Sequence, residues 1–211
     1  MSRDPILVID KEKFLGRGSF RAVYLHPQDP GKVLKVFHGG PSAETGRARR
    51  GFKALRTSKK FDQNRQDYAQ HRRLERKGLL TSCVYGMYGI VETDMGPALV
   101  AEYVRNGDGR SSPTLWDYVS AHGIDAVRPL IEELFETLAR HHVVLREPHH
   151  KNIVVREKQD GSVDLVVIDG LGDPNIVPFA TLSKHLNRRK LMRKKGKLYG
   201  RLERLLERPA G

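Results

Sequence analysis

The chain is poor in cysteine, tryptophan and long apolar runs. Cys83 is the one cysteine among 211 residues, which excludes intrachain disulfides, CxxC redox chemistry and thiolate zinc cages. Apolar runs such as Leu165-Val-Val-Ile168 stop at four or five residues, whereas a bilayer span takes about 20, so no transmembrane helix is expected. Before Lys13 only Pro5 to Ile9 is uncharged, too short for the apolar part of a secretory signal. The chain is therefore expected to be cytoplasmic. Acidic residues are also scarce, 25 against 38 Lys and Arg, for a formal charge of +13. What is present suffices for a core: Leu, Val, Ile and Phe total 56 residues, above the level at which charged chains stay unfolded.

The charge is blocked. Residues 1–46 carry seven basic and five acidic residues, 47–77 twelve and three, 78–179 eight and fifteen, and 180–211 eleven and two. The acidic third block holds most apolar runs, so the basic blocks read as faces or appendages rather than core.

Alternation and β-branched content predict three strands over Lys13–Gly18, Arg21–His26 and Lys32–Phe37, with Pro27 to Gly31 as a turn. From about Phe61 the period becomes helical, ending at Gly78. Two further strands, Val84–Glu92 and Ala98–Val104, flank the turn at Asp94-Met-Gly96. After the polar linker Arg105–Pro113 the pattern turns mainly helical: Thr114 caps one helix, and Ala126–His142 places Leu130, Leu134 and Leu138 on one stripe. Ile153–Val155 and Val163–Ile168 flank a second hairpin turn, Gln159-Asp-Gly161. From Thr181 the tail is helical and basic, with Leu198, Leu202, Leu205 and Leu206 on one face. The expected division is 1–104, 105–179 and 180–211.

Gly16-Arg-Gly-Ser-Phe-Arg-Ala-Val23 is close to the G-x-G-x-x-G-x-V loop of protein kinases, where glycines let the backbone approach phosphate oxygens. Nineteen residues after Gly16, Lys35 sits on the third strand, where such a site needs a point charge for the phosphates. Leu145-Arg-Glu-Pro-His-His-Lys-Asn152 matches the catalytic-loop pattern H-R-D-x-x-x-x-N, with Glu147 at the Asp position and Asn152 at the metal-binding Asn. Ile168-Asp-Gly-Leu-Gly172 sets Asp169 at a strand end, where an Mg²⁺-binding Asp belongs, without the usual Phe. Each signal has a plain alternative, a hairpin glycine pair, a solvated lysine or an Asp-Gly turn. Their joint order and spacing do not.

From Lys13 to Asp173 the chain resembles a minimal protein-kinase-like phosphotransferase. Its short length, D-G-L-G motif and basic end resemble the PhoP regulatory network YrbL-like family, related to Kdo-type lipopolysaccharide core kinases. The resemblance implies an α+β, two-lobe kinase-like fold, with a five-stranded antiparallel small lobe and a truncated helical large lobe. It implies Mg²⁺ and ATP as cofactors. Gly16, Gly18 and Ser19 would cover the phosphates, Lys35 would grip them, Asn152 and Asp169 would hold Mg²⁺, and Glu147 would orient the acceptor hydroxyl. Ala101 falls at the gatekeeper position, with the Glu102 carbonyl and Val104 amide facing adenine. Asp67 is the candidate partner of Lys35, with Glu75 and Glu44 as alternatives. Arg21 replaces the third glycine, which stiffens the loop.

No A-P-E motif follows Asp169, which favours a small, lipid-linked or carbohydrate acceptor, such as an envelope or lipopolysaccharide-related carbohydrate, over a peptide. The competing reading is a non-catalytic, nucleotide-binding regulatory protein. The basic tail is expected to meet an anionic surface, such as the inner face of a membrane, unless its stripe packs on the large lobe. Nucleic acid is disfavoured, because Tyr199 is the tail's one aromatic and no recognition module is present. His141, His142, His149 and His150 suggest a zinc site only weakly, since neighbours on an extended segment face opposite sides.

Overall fold

The computed structural model describes residues 6–18, 20–37, 63–146, 148–172 and 183–207. Its elements are β1 (Phe14–Arg17), β2 (Arg21–Leu25), β3 (Lys32–Phe37), α1 (Gln63–Arg76), β4 (Met87–Thr93), β5 (Gly96–Glu102), α2 (Leu115–His122), α3 (Arg128–Arg140), β6 (Ile153–Glu157), β7 (Val163–Val167) and α4 (Lys184–Leu206). The chain divides into two units, residues 1–69 with 86–103, and residues 70–85 with 104–211. This is the expected α+β class: a five-stranded antiparallel sheet with a helix inserted between its third and fourth strands, then a mainly helical part.

In the first unit the sheet order is β1-β2-β3-β5-β4, antiparallel throughout. The β2–β3 turn is fixed by Asp29, whose carboxylate accepts from the Gly31 N–H at 2.9 Å and pairs with Lys32. Strand alternation divides the sheet into two faces. Ala22, Tyr24, Leu34, Val36, Ala98 and Val100 form an apolar cluster with Ile9, and Leu7 and Val91 pack against it. Asp94, in the β4–β5 turn, ties this segment down by accepting from the Ile9 N–H at 2.9 Å. The register places Val23 opposite Lys35, and Lys35 and Val33 opposite Leu99 and Ala101. The other face therefore carries Arg21, Val23, Val33, Lys35, Leu99 and Ala101.

In the second unit Thr114 and Asp117 form a reciprocal capping box on α2, and β6 pairs with β7. Three expectations are corrected. The strand expected from Val84 starts at Met87. Its first residues instead run beside β7, where the Tyr85 N–H donates to the Val167 carbonyl at 3.1 Å and the Val167 N–H to the Cys83 carbonyl at 2.8 Å. The α3 stripe keeps the expected Leu134 and Leu138, but Ile131 and Phe135 complete it in place of Leu130, which is partly exposed. The α4 stripe expected for an anionic surface is spent internally. Leu191, Leu198 and Leu202 are 0–1% exposed where α4 packs on α3, because burying them stabilises the unit more than leaving them in water. Leu206, 42% exposed, lies outside this contact.

Polar contacts fix the same helix pair. Arg188 makes a two-pronged bond to Glu136 at 2.9 Å, Lys195 pairs with Glu132, and the Tyr199 hydroxyl donates to Glu132 at 3.0 Å. Burial, then that bond, push the Tyr199 phenol up to about 12. Among the described residues no helix is long and apolar enough to cross a membrane.

Candidate functional site

The first unit gathers Gly16, Gly18, Lys35, Asp67, Ala101 and Glu102. Gly16 lies on β1 opposite Val23, and the Gly18 N–H donates to the Arg21 carbonyl at 2.8 Å, closing the glycine loop. Lys35 is 5% exposed in mid-strand. Its side chain shares a sheet face with Arg21, Val23, Leu99 and Ala101, one strand from the glycine loop. Glu102 ends β5; its N–H donates to the Gly86 carbonyl and its carboxylate accepts from the Gly86 N–H, both at 2.8 Å.

Helix α1 has little apolar surface. Its buried positions are Asn64, Asp67, Gln70, His71 and Leu74, a mostly polar face at three- and four-residue spacing. Sequence reasoning missed what this face does. Asp67, fully buried, pairs with Arg21 at 2.8 Å. The same guanidinium nitrogen donates to Asn64 Oδ1 at 3.1 Å, and Asn64 Nδ2 donates to the Lys35 carbonyl at 2.7 Å. Two signals were available: an arginine in place of a loop glycine, and a helix whose repeat is polar. Of the alternatives to Asp67, Glu75 bonds Arg72 on the exposed side of α1, and Glu44 lies outside the described residues.

The second unit brings Asn152 and Asp169 together. Asn152 precedes β6 and Asp169 follows β7 by two residues. The Ile168 N–H donates to the Asn152 carbonyl at 2.9 Å, the Arg146 N–H to the Gly170 carbonyl at 2.7 Å, and the Gly172 N–H to the Val144 carbonyl at 2.8 Å. The segments 144–152 and 168–172 are thus laced together. Gly170 has φ +81° and Gly172 φ +100°. A residue with a side chain would be strained at either position, which is the physical reason glycine stands there. Val104, 6% exposed, also belongs to this unit, and its carbonyl accepts from the Ser112 N–H at 3.2 Å. Ser19 and Glu147 lie outside the described residues.

The histidines of the loop do not face apart, because His149 opens a turn, closed by the Asn152 N–H donating to the His149 carbonyl at 2.8 Å, rather than lying in an extended segment. The His149 and His150 rings lie 4.1 Å apart, and Trp116 packs 6.0 Å from His150. His150 is 6% exposed. Burial first, then the charges of His149, Arg201 and Lys151, push its pKa down to about 4, opposed by Asp117. Because the folded value lies below the unfolded one near 6.5, the unfolded chain binds more protons between those limits. Stability is then fully present above about pH 6.5 and falls towards pH 4, by up to about 3 kcal/mol from this group. Urea melts from pH 7.5 to 4.5 should show that loss, and His150→Gln should flatten it; an equal slope in the variant would contradict the assignment.

The family profile described as PhoP regulatory network protein YrbL matches residues 7–203. The chain belongs to the YrbL family. Protein YrbL of Escherichia coli (strain K12) is 28% identical over 181 residues, covering 83% of this chain and 78% of that protein, and YrbL of Shigella flexneri matches equally. Among solved structures, Rad53 1–466 in complex with AMP-PNP aligns with a TM-score of 0.47 and 19% identity, covering 77% of this chain and 38% of that one. The YrbL match spans both the sheet unit and the α4 helix, so the basic helix is part of the family's common body.

Proposed function

We propose that the chain is a kinase-like phosphotransferase that uses Mg-ATP on a non-peptide acceptor, a small or lipid-linked carbohydrate of the bacterial envelope. The observation that carries this reading is Lys35: a lysine 5% exposed, on the sheet face shared with Ala101 and one strand from a glycine loop. A lysine on a strand one place from a glycine loop is the point charge that the phosphates of a nucleoside triphosphate suit.

Asn152 and Asp169 supply one amide and one carboxylate oxygen. That donor set fits Mg²⁺, which keeps several waters and takes one or two protein oxygens plus phosphates. Bound there, the ion would neutralise charge developing on the transferred phosphoryl group. Lys35 would hold the α- and β-phosphates, Gly16, Gly18 and Ser19 would cover them, Ala101 would border adenine, and the Glu102 carbonyl and Val104 N–H would bond it. Glu147 would accept the acceptor's hydroxyl proton. Attachment to an anionic surface, without the buried leucine stripe, would depend on the exposed Arg189, Arg193, Lys197 and Arg204, by electrostatics alone.

Thermal melts test the reading. ATP with Mg²⁺ at 100 times its dissociation constant adds about 2.7 kcal/mol, a rise of about 5–10 °C for a chain this size. Lys35→Met should abolish the rise, and Asp169→Ala should leave a smaller one independent of Mg²⁺. No rise at millimolar Mg-ATP would contradict the proposal. A rise without phosphate transfer to any envelope acceptor would favour the non-catalytic binding protein.

A further inference from the structure

Arg21 stands where the glycine-loop pattern has its third glycine, yet its side chain turns away from the loop. It is 5% exposed and its ion-pair partner Asp67 is 0% exposed. One guanidinium nitrogen reaches two acceptors one turn apart on α1, Asp67 at 2.8 Å and Asn64 at 3.1 Å. Asn64 passes the connection on to β3 at the carbonyl of Lys35 itself, at 2.7 Å. Through its main chain Arg21 also receives the Gly18 N–H at 2.8 Å. The glycine loop, the phosphate-gripping strand and the first turn of α1 therefore meet on this one residue.

We propose that Arg21 is a positioning residue: it fastens the loop, β3 and α1 into one body, so that Lys35 and Asp67 are set in place before nucleotide arrives. The proposal rests on the nucleotide reading above for its functional meaning. Its physical basis is that a fully buried carboxylate tolerates the loss of its cation poorly. Without the guanidinium, Asp67 and Asn64 each lose the bond that ties them to β2, and the first turn of α1 is held less firmly against β3. A lysine keeps the charge, but its ammonium ends about one bond short of the nitrogen that reaches both acceptors and is more strongly hydrated, so Arg21→Lys should restore the position only in part.

The test combines amide hydrogen exchange with Mg-ATP titration on the full chain. In nucleotide-free Arg21→Met, the amides of residues 67–69 should exchange about 100-fold faster than in the wild type, the effect expected of removing one member of a buried, hydrogen-bonded ion pair. Mg-ATP affinity should fall by about 10-fold or more, with Arg21→Lys between the two, since sub-ångström placement governs such sites. A merely stabilising role would lower the melting temperature while the folded fraction bound Mg-ATP with unchanged affinity. Unchanged exchange, or faster exchange with unchanged affinity, overturns the proposal. If the wild type binds no nucleotide while exchange still rises in Arg21→Met, the fastening is supported and the nucleotide reading falls. Should Arg21→Met not fold, Arg21→Lys and Asn64→Ala carry the same test with smaller shifts in the same direction.

Discussion

Leu198→Ala and Leu202→Ala are each expected to lower the unfolding free energy by about 2–5 kcal/mol in urea denaturation. Both side chains are all but fully buried, at 1% and 0% exposure, in the contact between α4 and α3, so truncation leaves a cavity as well as losing transfer energy. Against a typical total of about 5–15 kcal/mol, the double variant should have α4 undocked at room temperature. Leu206→Ala, at an exposed site, should stay within about 0.5 kcal/mol of the wild type. Equal costs at all three positions would mean that α4 is not docked through this face. The consequence reaches the loop that ends at Asn152. Asn187 Nδ2 donates to the Val143 carbonyl at 3.0 Å and Lys194 Nζ to the Leu145 carbonyl, so the basic helix supports the chain where it enters that loop.

Glu147→Gln should lower phosphoryl transfer by about 100- to 10,000-fold, the range for removing a general base, with Mg-ATP affinity within about twofold of the wild type. The amide keeps the shape but cannot accept the hydroxyl proton, and in the proposed role the residue faces the acceptor rather than the phosphates. Single-turnover transfer alongside equilibrium nucleotide binding separates the two effects. Transfer by the Gln variant at the wild-type rate would remove Glu147 from the base role.

Much of this architecture is legible in the sequence because local chemistry and global fold agree. The β2–β3 turn follows from Pro27-Gln-Asp-Pro-Gly31, the hairpin turn after β4 from Asp94 to Gly96, and the α2 start from Thr114 and Asp117 three residues apart. The pairing of segments 144–152 and 168–172 is also foreshadowed, since a hairpin at Gln159 to Gly161 must bring its flanks back together. What is not legible has a long reach in sequence. Arg21 and Asp67 are 46 residues apart, and an ion pair at that distance leaves no periodic trace. Val84 and Tyr85 read as strand residues, but nothing local says that their partner is β7 rather than β5. The α4 helix shows the same limit: its leucine stripe is as suitable for a lipid surface as for α3, and only the folded chain shows Leu191, Leu198 and Leu202 buried, with Glu132 and Glu136 of α3 pairing with Lys195 and Arg188.

The most direct measurement is a crystal structure of the chain grown with Mg²⁺ and a non-hydrolysable ATP analogue. The account predicts phosphate oxygens within about 3 Å of Lys35 Nζ, a metal ion about 2.0–2.1 Å from an Asp169 carboxylate oxygen, Asn152 in the same coordination shell, and adenine beside Ala101. Nucleotide absent at saturating concentration, or bound away from both Lys35 and Asp169, would contradict it.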